Sequence, residues 1–417
     1  MELGIFAAAA ALPGLSYNRG NALPLSLMST GKPKLLITIN TLQSGGAERV
    51  VSLLLEHLRN DFELHLALYT NIVDYKIPAE IKVFDLQQPL QQNRIIRLLK
   101  MPAQAYKLYR YCKRNHINVS VAFLYRPCYL NALMKSIWRY KGKVIMCERT
   151  HQTTMQQSQS KIYRMFSKFM VRFSYKRADL VLANSYAMQT DLVENFRIKT
   201  PVRVIYNPID LHYIKTHIGE EPVTPLDPNY FYFVNVGGFR REKNHLLLLQ
   251  AFFILKHLPC KLLIVGGGIL EEELKQKVQD LGMQDSVIFC GFDTNPFKYV
   301  SRSDCFVLSS DVEGFPNVLI ESLACGIPVI STDCSSGPRE LLAPATDLHH
   351  RAINNYEIGE YGILTPVNDI AALAAAMRKM YEDSDLRALL AAKAKGRAAQ
   401  FDVDEIKQYF HVAFTAI

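Results

Sequence analysis

The chain has 417 residues, a formal net charge of +9 and 49% hydrophobic residues, so it is long enough to bury two separate cores. No apolar run reaches the roughly 18 residues of a transmembrane helix, which excludes that class of membrane protein. The eight cysteines are scattered without a C-x2-C pair and are interpreted as reduced core residues, not as disulfides or zinc ligands.

Positive charge is concentrated in one block of the sequence. From Leu86 to Ala178 there are nineteen lysines and arginines and a single acid, Glu148, so this block carries +18 and the rest of the chain −9. A like-charged block of this size indicates an anionic partner such as nucleic acid, acidic lipid or phosphate.

The first thirty-one residues do not fit the pattern of the rest. Leu3 to Leu15 is apolar and Ala-rich, but Glu2 stands where a signal peptide has basic residues. We expect residues 1–31 to be a disordered extension, with the working start near Met28.

The pattern of an α/β domain begins at Lys34–Ile39, a buried strand followed by the glycine-rich turn NTLQSGG and a helix from Ala47. A glycine turn before a helix N-terminus can bind an anion, which makes Gly45 and Gly46 candidate ligand contacts; alternatively, the glycines serve only packing. Strands and helices then alternate, which predicts a parallel sheet with helices on both faces. The further predicted strands are Glu63–Tyr69, Ile81–Phe84, Asn118–Phe123, Lys143–Cys147, Asp179–Ala183 and Val202–Ile205.

Four polar residues, Glu148 to His151, follow the strand that ends at Cys147. Ligands of parallel sheets bind beyond the carboxyl ends of the strands, so Glu148, Arg149 and His151 should face a cleft. They are candidates to bind hydroxyl groups of a ligand, with Glu148 also a candidate base. The alternative is a solvated loop.

Ser160 to Arg177 predicts an amphipathic helix with a basic face and many aromatic residues. Such a helix is typical of proteins that rest on an anionic membrane surface. The alternative is that its apolar face packs on the domain and its charges are merely solvated. The predicted membrane-facing cations are Lys161, Arg164, Lys168, Arg172 and Lys176.

A second strand–turn–helix series starts at Tyr230–Val236, after a polar, Pro-rich linker at residues 214–229. Its first turn is GGFRREKN, from Gly237 to Asn244. Predicted helices follow at 245–256, 368–383, 385–398 and 403–415. Asp402 and Asp404 are interpreted as part of a helix N-cap and not as metal ligands.

The most informative stretch follows the strand Cys305–Leu308. Glu313 begins a tight turn, a helix opens near Asn317 after Pro316, and Glu321 lies one turn inside it. Free N–H groups at a helix N-terminus favour phosphate, whereas carboxylates bind hydroxyls. Together they indicate a sugar phosphate or nucleotide sugar. The alternative is a surface loop with a solvated Glu321.

EGFPNVLIESLACGIPVIST is similar, nearly residue for residue, to the E-x7-E signature of retaining GT-B glycosyltransferases of family 4. The resemblance implies an α/β GT-B fold, in which two Rossmann-like doubly wound domains face each other across a cleft. It implies an N-terminal acceptor-binding domain at 32–206, a nucleotide-sugar-binding domain at 207–400 with a hinge at 206–210, and a C-terminal helix at 401–417 that packs back toward the N-terminal domain.

The resemblance also assigns roles to residues. Glu313 would lie beside the donor sugar, Glu321 would hold the ribose, and Lys243 would neutralise the diphosphate. Gly238 stands where the family commonly has an Arg, so Arg240 or Arg241 would replace it; Cys290 and Phe292 would adjoin the nucleobase. The catalytic candidates are Glu313, Lys243 and His151, and the candidates to bind the acceptor or the donor sugar are Glu148, Arg149 and His151. The remaining donor-binding candidates are Gly45, Gly46, Gly237, Gly314, Phe315, Pro316, Asn317 and Val318.

The expected function is transfer of a hexose or N-acetylhexosamine, with retention of configuration, from a nucleotide sugar, expected to be UDP-linked, to a lipid-linked glycan acceptor. The enzyme would be cytoplasmic, peripheral on the inner face of the plasma membrane, without a metal or other cofactor and without nucleic acid. Two alternatives stay open. The first is that the protein is another GT-B enzyme, such as an epimerase or a phosphorylase, but this would not explain the basic amphipathic helix. The second is that it is a nucleic-acid-binding protein, but this would not explain the E-x7-E signature.

Overall fold

The computed structural model describes residues 31–416 apart from 44, 90–92, 158–159 and 224. The predictions of a disordered extension and of a working start near Met28 lie outside the described residues. Pro33–Ile417 form one compact unit that contains two parallel sheets. The N-terminal domain is built on the first sheet and the C-terminal domain on the second.

The first sheet has the strand order β3-β2-β1-β4-β5-β6-β7, and all its pairings are parallel. Nearly all residues of its central strands are buried, because helices cover both faces. Its strands are β1 (Lys34–Ile39), β2 (Glu63–Leu68), β3 (Lys82–Asp85), β4 (Val119–Phe123), β5 (Lys143–Glu148), β6 (Leu180–Ala183) and β7 (Val202–Val204). Its helices are α1 (Gly46–His57), α2 (Arg94–Asn115), α3 (Tyr125–Ile137), α4 (Gln152–Gln157), α5 (Lys161–Tyr175) and α6 (Tyr186–Thr190), the last continued by a π-helical turn, Asp191–Asn195.

The second sheet has the order β10-β9-β8-β11-β12-β14-β13, with an antiparallel edge strand β13. Its strands are β8 (Phe231–Val236), β9 (Cys260–Val265), β10 (Val287–Gly291), β11 (Cys305–Leu308), β12 (Val329–Thr332), β13 (Glu357–Ile358) and β14 (Ile363–Thr365). Its helices are α7 (Leu211–His217), α8 (His245–Ile254), α9 (Glu271–Asp280), α10 (Phe297–Val300), α11 (Asn317–Cys325), α12 (Pro338–Leu342), α13 (Ile370–Glu382) and α14 (Ser384–Ala399).

The last helix, α15 (Val403–Thr415), follows the C-terminal domain in sequence but packs on the N-terminal domain. Phe62 makes ring contacts with His411 and Phe414, at centroid distances of 5.3 and 6.2 Å. The chain therefore crosses between the domains twice. The two crossings run side by side, because Ile209 donates its N–H to the Phe401 carbonyl and accepts one from Val403.

The predicted elements agree with the structure except at several boundaries. The predicted linker at 214–229 is wrong at its start, because α7 extends to His217 with Asp210 as its side-chain N-cap. Helix α3 begins at Tyr125, directly after Leu124, which adopts a positive φ of 72°. Asp402 is the N-cap residue of α15, although its side chain makes no capping hydrogen bond.

Candidate active site between the two sheets

Glu313 and Lys243 form an ion pair at the carboxyl edge of the second sheet. Lys243 Nζ lies 2.6 Å from Glu313 Oε1, and Ser310 Oγ donates to the same oxygen at 2.7 Å. Lys243 ends a short 3-10 turn after β8, and Ser309 Oγ donates to its carbonyl at 3.0 Å. Parallel pairing of β8 with β11 thus brings together two residues that are 70 positions apart.

The N-terminus of α11 is open toward the first sheet. Its N-cap residue is Pro316, which provides no side-chain capping bond. Asn317 Nδ2 donates to the Gly46 carbonyl at 3.3 Å, so the glycine turn before α1 lies directly opposite the start of α11. The backbone N–H groups of Asn317 and Val318, with the helix dipole, form a site that favours an anion.

Glu321 of α11 lies close to Arg49 of the N-terminal domain. Burial raises the pKa of its carboxyl group, and the charge of Arg49 opposes that rise. The Arg49 guanidinium lies 5.8 Å from the ring centroid of Tyr75 and 5.0 Å from that of Tyr213, on α7. Arg49 is not among the site residues predicted from the sequence, because its stacking on these two distant tyrosines leaves no local signal.

Arg240 and Arg241 are both exposed, but they differ in their surroundings. Burial raises the pKa of Glu48 on α1, and the Arg240 charge lowers it, so Arg240 lies on the side of its turn that faces the N-terminal domain. Nothing comparable relates Arg241 to the cleft within the described part of the chain. Arg240 is therefore the better candidate to take the role of the Arg that the family commonly has at the position of Gly238. A side chain at the neighbouring Gly237 would meet no atom within 4 Å, so this glycine borders open space.

Cys290 and Phe292 stand at the end of β10. Cys290 is half-buried, and burial raises the pKa of its thiol to about 11. The Phe292 side chain is 65% exposed, which leaves its ring face open to stacking. Their predicted place beside a nucleobase remains a prediction.

The prediction that Glu148 is an acceptor ligand or a base is wrong. Its carboxylate is buried and accepts hydrogen bonds from Tyr175 Oη at 2.5 Å, Gln152 Nε2 at 2.8 Å and two backbone N–H groups. Burial raises its pKa, and these donors oppose that rise. Because every oxygen is engaged by the protein, Glu148 fixes the loop after β5 and the end of α5.

Arg149 does not face the cleft as predicted either. Its guanidinium is buried over the Phe123 ring at 4.8 Å and donates to Asn207 Oδ1 at 2.6 Å. Its backbone carbonyl does reach the site, since a side chain on Gly314 would overlap it. Arg149 therefore joins the two domains through its main chain and through the hinge residue Asn207.

Asn207 connects the hinge to the loop that carries Glu313. Its Nδ2 donates to the Phe315 carbonyl at 3.2 Å and to Asn317 Oδ1 at 2.7 Å. Tyr206 stacks on the Phe315 ring at a centroid distance of 4.7 Å. The loop 313–317 is thus held by residues of the hinge as well as by its own sheet.

A second cross-domain contact involves Glu340, which sequence reasoning missed. Its buried carboxylate accepts the N–H groups of Tyr186 and Ala187, at 2.9 and 3.0 Å, and so caps α6 of the other domain. Ser336 bonds to Ser185 at 2.7 Å and to the Gly314 carbonyl at 2.5 Å. The local sequence carries no signal for a partner 154 residues away.

Comparison with known proteins agrees with this arrangement. Residues 44–213 match the family Glycosyltransferase Family 4, and residues 220–397 match Glycosyl transferases group 1. An N-acetylgalactosamine-N,N'-diacetylbacillosaminyl-diphospho-undecaprenol 4-alpha-N-acetylgalactosaminyltransferase of Campylobacter jejuni is 36% identical over 371 residues, covering 88% of this chain and 96% of that protein. The chain belongs to the family-4 glycosyltransferases. The resemblance carried by Glu313–Glu321 is thereby confirmed.

Solved structures show the same GT-B fold for this glycosyltransferase. Anabaena HepE in complex with UDP and glucose has a TM-score of 0.71 at 21% identity, covering 92% of this chain and all of that one. Sucrose-phosphate synthase from Thermosynechococcus elongatus has a TM-score of 0.76 at 19% identity, covering 93% of this chain and all of that one. The predicted fold of two doubly wound domains is confirmed.

His151 lies on the loop of this glycosyltransferase that touches Gly314 through Arg149. Its Nδ1 is 2.9 Å from Thr154 Oγ1 and 3.7 Å from Asp191 Oδ2. Burial and the charge of Arg351 lower the pKa of the imidazole, whereas Asp191 raises it. Since Arg351 belongs to the C-terminal domain, the ring lies between the two halves of the enzyme.

A cleft of about 330 Å³ borders α5 of the glycosyltransferase. It is lined by the cations Lys161, Arg164 and Lys168 and by polar side chains of α4 and the π-helical turn. Arg172 donates to the Phe196 carbonyl at 2.8 Å and remains exposed, as does Lys176 just beyond the helix. The five predicted basic residues are therefore at the surface, and three of them surround one cleft.

The apolar side chains of the first half of α5 do not pack on the domain. Ile162, Met165 and Phe169 are 80%, 74% and 62% exposed. The helix is held instead by Val171, Ser174 and Tyr175 near its C-terminal end. Its N-terminal two turns therefore present an apolar surface beside the basic cleft.

Two further properties concern the described residues alone. No helix there combines the length and apolarity needed to cross a bilayer. Within the same ranges, no three side chains of the metal-ligating types come together.

Proposed function

We propose that this glycosyltransferase moves a hexose or N-acetylhexosamine from a UDP-sugar to a lipid-linked glycan acceptor, with retention of configuration. The observation that carries the proposal is the Lys243–Glu313 pair beside the open N-terminus of α11, opposite the Gly46 turn. The name of the Campylobacter jejuni relative, which specifies a diphospho-undecaprenol-linked acceptor, and the UDP and glucose in the HepE structure support the acceptor and the donor.

The charge distribution accounts for departure of the nucleotide. As the sugar–phosphate bond breaks, negative charge develops on the diphosphate; Lys243 and the N–H groups of Asn317 and Val318 stabilise that charge, with Arg240 as a second cation. Such stabilisation of developing charge is commonly the largest catalytic contribution. Glu313 then binds hydroxyls of the donor sugar and Glu321 those of the ribose. We propose that these groups suffice without a metal or other cofactor.

The donor proposal is tested with a panel of UDP-, GDP- and ADP-sugars, with lipid-linked acceptor in vesicles. We expect one nucleotide to be released, faster when acceptor is present, and release to be lost in Glu313→Ala. Glu382→Ala, an exposed residue of α13 paired with Arg378, is the control and should keep full activity. Interconversion of the sugar without transfer would favour an epimerase, and no donor binding at all would contradict the proposal.

We propose that the acceptor's diphosphate binds in the basic cleft and that α5 rests on the anionic cytoplasmic face of the membrane. The exposed apolar side chains lie directly beside the cations, an arrangement that suits lipid headgroups above acyl chains. The first turns of α2 add Leu98 and Leu99, which are 47% and 75% exposed, beside Lys100. Both helices pack against α3, so their apolar ends belong to one face of the domain.

Replacing Ile162 and Met165 together by glutamate should weaken vesicle binding at least about tenfold, since each buried apolar side chain contributes about 1–2 kcal/mol. Flotation with vesicles containing 30 mol% anionic lipid measures the bound fraction. The matched control replaces two exposed apolar residues of the C-terminal domain, Ile358 and Leu389, by glutamate. Equal loss of binding in both variants, or no binding by the wild type, would contradict membrane docking through α5.

A further inference from the structure

A buried carboxylate, Asp191, lies between the His151 loop and the basic cleft. It begins the π-helical turn that continues α6, and its side chain has no exposed surface. It accepts the backbone N–H of Thr153 at 3.0 Å, the Thr153 hydroxyl, and Asn195 Nδ2 at 2.8 Å. A π-helical turn inserts an extra residue into a helix and often marks a functional site.

The ring of His151 has two distinct nitrogens in this environment. Nδ1 accepts the backbone N–H of Thr154 at 3.4 Å and lies 2.9 Å from the hydroxyl of the same residue. When Nδ1 accepts, the proton of the neutral ring is on Nε2. Nε2 makes no hydrogen bond to the described part of the chain, and the side chain is 12% exposed. It is therefore the nitrogen available to a ligand.

We propose that Asp191 is a positioning residue that holds His151 with Nε2–H directed at a sugar hydroxyl in the cleft. It does so by fixing the backbone at Thr153, next to Thr154, whose N–H donates to Nδ1. This inference rests on the proposed function, because it takes a sugar as the group that meets His151. A misplacement of such a group by about 1 Å can cost about 100-fold in rate.

The position of Asp191 also relates the two substrates. Its partners Thr153 and Asn195 both line the basic cleft, while His151 lies on the loop that contacts Gly314. One carboxylate thus fixes residues on the acceptor side and a residue on the donor side. A change at Asp191 should therefore alter their relative placement, and the effect should appear in kcat more than in donor KM.

Charges from both domains face His151, and they set the direction of the pH effect. Asp191 raises the pKa of the imidazole, while burial and Arg351 lower it. Removing the Asp191 charge lowers that pKa further, so the neutral ring persists to lower pH. If neutral His151 is the working form, the acid limb of the pH profile moves to lower pH in Asp191→Asn.

The test is a double-mutant cycle with Asp191→Asn, His151→Ala and the double variant. We expect Asp191→Asn to lower kcat about tenfold with donor KM within about twofold of wild type. In the His151→Ala background the same change should cost less than about twofold, because its target is gone. Asp179→Asn is the matched control: that carboxylate bonds Val144 N–H and Lys135 at the opposite end of the sheet, and its replacement should leave kcat and the pH profile unchanged.

A second measurement keeps the inference testable without turnover. Histidine-selective NMR reports the tautomer and pKa of His151; we expect the Nε2–H tautomer in wild type and a lower pKa in Asp191→Asn. If Asp191→Asn fails to fold, Thr154→Val is used in its place. It removes the hydroxyl that lies 2.9 Å from Nδ1 and should therefore alter the balance between the two tautomers of His151. Multiplicative effects in the cycle, or an unchanged His151 pKa, would overturn the inference. Full activity of His151→Ala would instead contradict the proposed role of His151 itself.

Discussion

Replacing Lys243 with methionine is expected to lower kcat by about 100- to 1,000-fold. The Nζ atom pairs with Glu313 at 2.6 Å beside the open N-terminus of α11, where the departing diphosphate would lie. Methionine keeps the length of the side chain but removes its charge, and it leaves Glu313 as an unpaired anion next to another anion. Steady-state transfer with saturating donor measures kcat, and calorimetry with UDP measures binding separately.

The control for Lys243→Met is Lys379→Met. Lys379 forms a 2.8 Å ion pair with Asp383 on the surface of the same domain, so it tests loss of a comparable pair away from the cleft. Exposed pairs of this kind contribute at most about 1 kcal/mol, and activity should stay near wild type. A Lys243→Met enzyme with more than about a tenth of wild-type kcat would remove Lys243 from the proposed mechanism.

Replacing Gly314 with valine is expected to lower kcat about 100-fold while UDP binding changes much less. A side chain at this position would overlap the Arg149 carbonyl, so the loop and the opposite domain could not keep their present distance. The nucleotide would still bind to the C-terminal domain, but the sugar would lie too far from the acceptor. Transfer assays and UDP calorimetry give the two quantities.

Gly396→Ala is the matched control for Gly314→Val. A Cβ on Gly396, inside α14, would meet no atom within 4 Å, and alanine is the better helix former. We expect unchanged transfer and slightly higher stability. If Gly314→Val retains normal kcat, the close approach of the two domains at this residue is not needed for transfer.

The sequence predicted the parts of the molecule that follow from local pattern. Alternating buried strands and glycine turns predicted both sheets, and the resemblance of the stretch from Glu313 to Thr332 to the E-x7-E signature predicted the family. Lys243 was predicted through the resemblance, and the sheet pairing β8–β11 explains why it meets Glu313. These features depend on short stretches of chain and on the general rule that parallel strands end at one edge.

The errors concern contacts between distant residues. Glu148 was expected to face the cleft because it follows the strand predicted to end at Cys147, but hydrogen bonds from Tyr175 and Gln152 hold its carboxylate inside the protein. Glu340 and Asn207 join the domains through partners more than a hundred residues away, and no periodicity marks such pairs. Tertiary packing decides which polar groups are satisfied internally, and only the remaining ones are free for substrate.

The two adjacent chain crossings, at Ile209 and at Asp402, have a consequence for how the enzyme can open. A single flexible connection would allow rotation about three axes, whereas two strands hydrogen-bonded side by side leave mainly one axis, along the pair. When the two domains close again over a donor, they lose less rotational freedom than two domains joined by a single flexible connection would. The entropy cost of closing therefore subtracts less from the free energy of donor binding. A nick in the chain between α14 and α15 would leave one covalent connection between the domains. Their motion would then no longer be restricted mainly to one axis, although every residue of the cleft would still be present.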